Sequence, residues 1–203
     1  MRQNAACFFI LALSFIATAQ APGQTDSAVV RAIPDALTVI HSRKSVRHFT
    51  GEPVSRQDLE TLVKAGMAAP TAMNRQPWQF IIVTGRARLE SLAAGRPHAG
   101  MLKEAGAAIV VCAQQDKTGG GAEFAIIDCS LASQNILLAA EALHLGALWT
   151  AVYPDKPAMN FIAKQLKIPD GLIPLNLIPI GRPTGEDQPK NKYKPDRIHW
   201  ERW

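Results

Sequence analysis

The longest regular pattern in the chain runs over residues 122–145. There Phe124, Ile127, Leu131, Leu138 and Leu145 recur at helical spacing and alanines fill the gaps. Apolar residues at such intervals line one face of a helix. Here they occur nearly all round it, so the helix is expected to be buried on most sides. At about 1.5 Å per residue it would span roughly 35 Å, the width of a small domain. Two settings bury such a rod: the middle of one domain, or the contact between two subunits. Gly146 follows it and is expected to close it, since glycine readily takes the left-handed conformation that ends many helices.

Four apolar runs surround this rod in the sequence, at 80–83, 107–112, 147–152 and 175–180. Each reads as a strand, and the first two are continuous enough to be buried on both faces. Between them lie shorter helical patterns. One covers 34–41, with Leu37, Ile40 and Ala36 on one face. A second starts at Ser55, with Asp58 three residues on as a capping-box variant; it carries Leu59, Leu62, Val63 and Gly66 and stops at Pro70. A third covers 86–94, and one helical turn is expected at 101–104. The last is capped by Asp155 and begins at Pro157, with Met159, Ile162, Ala163 and Leu166 as its inner stripe. Strands separated by helices make an α+β or α/β sandwich, and the pattern leaves the pairing order open.

The first residues read as a leader, not as fold. Met1-Arg2 is a short positive start, 5–16 is an apolar run too short to span a bilayer comfortably, and Ala17-Thr18-Ala19 fits the small-x-small cleavage rule. Residues 1–19 are therefore expected to be a secretory signal peptide, which would make the protein exported, periplasmic or secreted. Residues 20–33 form an exposed lead-in, and 34–203 form one domain that includes the tail 182–203. A chain of 203 residues with 47% hydrophobic and 19% charged residues has enough apolar material for one core. The net charge of +5 sits in patches around 42–48 and 190–197, with no nucleic-acid motif beside it. Of the three cysteines, Cys7 falls in the leader. Cys112 and Cys129 read as two buried free thiols, with a bridge as the less favoured alternative. The chain has no CxxC, HExxH or GxSxG spacing, which leaves metal and serine-hydrolase chemistry without support.

Two stretches carry chemistry. Residues 41–49, HSRKSVRHF, place Arg43, Lys44 and Arg47 within five residues with the hydroxyl of Ser45 among them. Guanidinium forks, an ammonium and a short hydroxyl donor suit the dianionic head of a phosphate monoester. A solvated basic turn is the other reading of the same residues. The loop 69–78, APTAMNRQPW, has two prolines that fix an irregular backbone. Its Asn74 and Gln76 each offer both a donor and an acceptor, as the edge of a heteroaromatic ring requires. Asn74 as a turn cap is the alternative, and Trp78 reads as a core anchor.

SRKSVRHF, a helix, APTAMNRQPW and then a strand resemble the N-terminal signature of the nitroreductase family of FMN-dependent oxidoreductases. Lys44 stands where the family often has Arg, and Thr71 where it often has Ser. The resemblance covers about 34–203. It implies an α+β fold with a central mixed β-sheet flanked by helices, in a domain-interlocked homodimer whose interface contains the helix at 122–145. It implies an FMN site in which Arg43, Lys44, Ser45 and Arg47 hold the phosphate. Lys190 and Lys192 of the tail return to the same group, and Asn74 holds the ring edge. Thr150 and Ala151, at the end of ALWTAV, pass one face of the flavin through backbone groups. Further contacts are expected from the loop 71–76 of the neighbouring subunit, and which of its residues make them stays open. Trp200 and Trp203 are expected to anchor the tail to the body or to the partner subunit.

The resemblance further implies ping-pong hydride transfer from NAD(P)H through FMN to a nitroaromatic, a quinone or a similar electron-poor acceptor. No side-chain nucleophile or acid–base dyad is needed. The expected leader stands against a nicotinamide donor, because such cofactors are scarce outside the cytoplasm. A second class therefore stays open: an exported flavin-binding protein with little turnover, or one served by a different donor.

Overall fold

The computed structural model describes residues 34–114 and 121–203. The expected leader and lead-in lie outside these residues, as do residues 115–120. Among the described residues the order is α1 (Ala36–Ser42), α2 (Arg56–Met67), β1 (Trp78–Val83), α3 (Arg86–Ala94), β2 (Ala107–Gln114), α4 (Gly121–Ala142), β3 (Gly146–Ala147), β4 (Thr150–Ala151), α5 (Lys156–Leu166) and β5 (Leu172–Gly181). The class is α+β. The strands lie in the order β1-β2-β5-β3, with β4 also on β5, and every recorded pairing is antiparallel.

Helices cover both faces of this sheet, and the two-residue period of β2 sorts its side chains between them. Ile109 and Val111 face one core with Leu59 and Leu62 of α2 and Ile136 of α4. Ala108, Val110 and Cys112 face the other with Leu89 and Leu92 of α3 and Ile162 of α5. The caps follow the sequence. The Ser55 hydroxyl accepts the Asp58 N–H at 3.0 Å, and Asp155 accepts the Ala158 N–H at 3.3 Å. Cys112 and Cys129 are both free and buried. Burial pushes each thiol up to about 12, helped at Cys129 by the neighbouring Asp128 charge.

Four expectations need correction. β1 is an edge strand, not a doubly buried one: Gln79 and Ile82 are exposed and only Trp78 and Val83 are buried. The third apolar run is not continuous. β3 pairs Gly146 and Ala147 with Gly181 and Ile180, and β4 pairs Thr150 and Ala151 with Leu177 and Asn176. Carried along that register, Leu148 would face Pro179, which has no N–H to give the ladder. Gly146 does not close α4. His144 takes the left-handed turn at φ +56°, and the Leu145 N–H donates to the Ala140 carbonyl at 2.8 Å. Gly146 is needed for close approach instead, since a Cβ there would lie 2.6 Å from a Val46 methyl. Finally, Val39 is the buried residue of α1, whereas Leu37 and Ile40 are 66% and 50% exposed.

Among the described residues, two further apolar surfaces are left uncovered. On α4, Phe124, Ile127 and Leu131 are 49%, 54% and 41% exposed, so the helix is buried on its sheet side and open along one stripe. The tail leaves β5 with a single turn of 3₁₀ helix at Pro195–Arg197. Its Trp200 and Trp203 are 85% and 99% exposed and do not anchor it to the body of this chain.

Candidate functional site

The basic stretch begins where α1 ends. Arg43 caps the helix, its N–H donating to the Val39 carbonyl at 3.0 Å. Beyond it, Val46 and Phe49 are buried beside Ala105, while Arg47 and His48 are exposed and Ser45 is half-buried. The Val46 N–H donates to the Ala147 carbonyl at 3.1 Å, which ties this wall to β3.

The tail lies along the same stretch. The Thr50 N–H donates to the Arg182 carbonyl at 3.0 Å, Phe49 and Pro183 form an isolated bridge, and the Thr184 N–H donates to the His48 carbonyl at 3.1 Å. These contacts bring opposite ends of the polypeptide to one cleft of about 480 Å³. Arg43, Lys44, Ser45 and Arg47 line one side, Lys190 and Lys192 the other, with Glu186 and Asp187 at the join. An adjoining cleft of about 520 Å³ shares Arg43, Lys190 and Lys192 and adds Ile40, His41 and Tyr193. Six of the nine expected site residues thus meet in one place.

The donor set there fits a phosphate ester. Arg43 and Arg47 offer forked guanidinium donors, Lys190 and Lys192 ammonium donors, and Ser45 a hydroxyl. Lys44 has a second allegiance: its Nζ lies 3.1 and 3.3 Å from the two carboxylate oxygens of Glu141 on α4. Its charge is therefore largely offset before any ligand arrives. Asp187 adds negative charge to the cleft but is itself well compensated. Burial raises its pKa. The N–H groups of Arg47 and His48 and the His48 ring outweigh that and hold the carboxyl below its ordinary value.

The other three expected residues do not line this cleft. Asn74 stands on the loop between α2 and β1, where Met73, Asn74 and Gln76 all have φ near +52°. Left-handed backbone at residues other than glycine costs on the order of 1–2 kcal/mol each, so contacts must hold this loop in place. Some lie within the loop and one reaches it from α4. Gln76 donates its backbone N–H to the Thr71 hydroxyl at 3.2 Å and its side-chain amide to Asn74 Oδ1 at 2.9 Å. Asp128, buried on α4, accepts the Ala72 N–H at 3.1 Å. Asn74 Oδ1 is thereby engaged within the loop. Thr150 is buried and its hydroxyl donates to the Leu177 carbonyl. Ala151 is exposed, and its carbonyl accepts from the Arg96 guanidinium.

Sequence reasoning missed Glu141, Asp128 and Asp187 as organising residues. Each acts on a segment at least 56 residues away in the chain, so no local spacing marks it. Asp128 and Glu141 left a trace, as carboxylates within an apolar helical run, and Asp187 left none.

Comparison with known proteins decides the family. The nitroreductase family model matches residues 40–182. The chain belongs to the nitroreductase family. A Methanothermobacter thermautotrophicus protein named as a candidate NADH dehydrogenase/NAD(P)H nitroreductase is 39% identical over 171 residues, covering 83% of this chain and 88% of its own. A Parabacteroides distasonis crystal structure under the same candidate name superposes with a TM-score of 0.78 at 48% identity, covering 83% of this chain and 98% of that one. A candidate nitroreductase of Desulfovibrio desulfuricans, crystallised in complex with FMN, superposes at 0.71 with 26% identity, covering 84% and 98%. The family match spans the basic stretch, the 69–78 loop and the sheet, and ends at Arg182, where the tail begins.

Proposed function

We propose that this nitroreductase-family enzyme is an FMN-dependent oxidoreductase that takes electrons from NAD(P)H and passes them to a nitroaromatic, quinone or similar electron-poor ring. One observation carries the reading: phosphate-binding side chains from both ends of the chain converge on one cleft, in a family whose relatives are named NAD(P)H nitroreductases and include an FMN complex. FMN, when bound, supplies the redox chemistry. The chain's own residues bind and orient. Arg43, Arg47, Lys190 and Lys192 neutralise the phosphate, and Ser45 donates to it. Asn74 donates through Nδ2 to the ring edge, and Thr150 and Ala151 form backbone on one ring face. Lys44 fastens the basic stretch to α4, with its charge largely offset by Glu141. Donor and acceptor use the same open place in turn, which makes the kinetics ping-pong.

The exposed apolar faces support a homodimer. Leu37 and Ile40 on α1 and Phe124, Ile127 and Leu131 on α4 lie on helices that pack together. A second copy covering them, with Trp200 and Trp203 seated on the partner, would bury what the single chain leaves open. The apolar leader at 1–19 supports export. On that reading the mature chain begins at Gln20, and the donor is either supplied outside the cytoplasm or is not a nicotinamide.

Stopped-flow mixing of the FMN-loaded protein with NADH or NADPH under argon tests the activity. Loss of the yellow absorbance, followed by its return on adding a nitroaromatic, is the expected result. A bound flavin that neither donor reduces would overturn the nicotinamide reading and favour the exported flavin binder.

A further inference from the structure

Asp187 is a carboxylate at the edge of an anion site, where its charge alone works against a phosphate. Its contacts give it another task. Asp187 Oδ2 accepts the N–H of Arg47 at 2.8 Å and of His48 at 3.2 Å, and lies 3.2 Å from His48 Nδ1. The side chain is 14% exposed. Glu186, the other carboxylate near that ring, is 65% exposed and 3.7 Å away.

Asp187 is also the last fastening of the tail. Upstream, the tail is stitched to the basic stretch by backbone bonds at Arg182 and Thr184. Beyond Asp187, every recorded hydrogen bond made by the described residues 188–203 stays within the tail. Lys190 and Lys192 follow three and five residues later, and both are exposed. Their place in the cleft therefore depends on where Asp187 is held.

Building on the phosphate reading of the cleft, we propose that Asp187 is a positioning residue. By gripping the backbone of Arg47 and His48, it sets Lys190 and Lys192 opposite Arg43 and so completes the phosphate site from the tail side. Its carboxylate is turned onto amides that the ligand does not use, and the two lysines it brings in outweigh the one negative charge it adds.

The test compares FMN with riboflavin, which lacks the phosphate, by fluorescence titration of the flavin-free full chain. Asp187→Ala should weaken FMN binding about tenfold and leave riboflavin affinity unchanged. Asp187→Asn keeps an acceptor oxygen and should recover most of the loss. In a chain already carrying Lys190→Ala and Lys192→Ala, Asp187→Ala should add less than twofold. Hydrogen exchange at the Arg47 and His48 amides, read without flavin, should speed up in Asp187→Ala. FMN affinity that is unchanged or tighter in Asp187→Ala would overturn the proposal, as would unaltered amide exchange. A wild-type chain that binds no FMN would instead overturn the phosphate reading itself, and this proposal with it.

Discussion

The two walls of the cleft are built differently. The wall at 43–47 belongs to the body: Val46 is 1% exposed, Phe49 4%, and β3 closes against Val46 at Gly146. The wall at 188–192 belongs to the tail, exposed along its length and fastened last at Asp187. A wall set by the core is preorganised and loses little freedom on binding, whereas an exposed tail must be ordered at some cost. The body wall should therefore supply the larger share of the affinity for a phosphate, and the tail wall a smaller share that shows mainly in how quickly the phosphate leaves.

The largest expected effect comes from breaking the body wall. Gly146→Val drives a side chain into Val46, and overpacking of this kind costs about 1–3 kcal/mol. Urea denaturation should show a lower midpoint, with FMN binding lost in parallel. An unchanged midpoint would mean that the wall yields and is not preorganised. Next is Arg43→Ala, which removes a charge-assisted contact of about 1.5–3 kcal/mol. FMN affinity should fall by one to two orders of magnitude while riboflavin affinity stays constant, as measured by equilibrium titration. Equal losses for both ligands would place Arg43 away from the phosphate.

Smaller changes belong to the tail. Lys190→Ala and Lys192→Ala remove exposed charges, each contributing roughly 0.2–1 kcal/mol. Each should speed FMN dissociation a few-fold in stopped-flow displacement and weaken the salt dependence of binding. A tenfold loss from either would mean that the tail is as rigid as the body. The smallest effect is on acid stability. The Asp187 carboxyl sits below its ordinary 3.8 because its amide and His48 contacts outweigh burial. A lowered folded-state pKa contributes stability that is present above 3.8 and is lost only as pH falls through the folded value. Tail amide signals in NMR should therefore persist at pH 4 and broaden only below 3.8, ahead of those from β2. Release of the tail near pH 6 would contradict this.

The contrast between the walls also explains what could be read from the sequence. Elements whose reasons are local stood out. α3 spans Arg86–Ala94 as expected, and the caps at Ser55 and Asp155 begin α2 and α5. The strand core at 107–112 is buried throughout. Elements whose reasons are distant were misread. The break between β3 and β4 depends on Pro179, more than 25 residues on. Gly146 looked like a helix stop because its true neighbour, Val46, is a hundred residues away. α1 showed Leu37 and Ile40 as a face, and they do form one, but this chain does not cover it. The basic residues and the tail lysines were legible because they follow a family pattern. The carboxylates that organise them, Glu141 and Asp187, were not, since an acidic residue far off in sequence gives no sign of which cation or amide it will meet.

On the proposed reading, one FMN phosphate sits between the body wall and the tail wall. Equilibrium titration of the purified flavin-free chain with FMN, alongside riboflavin, tests it most directly. The expected result is one FMN per chain, a yellow protein, and riboflavin bound at least tenfold more weakly. A folded chain that stays colourless in excess FMN, or that binds the two flavins equally, would contradict it.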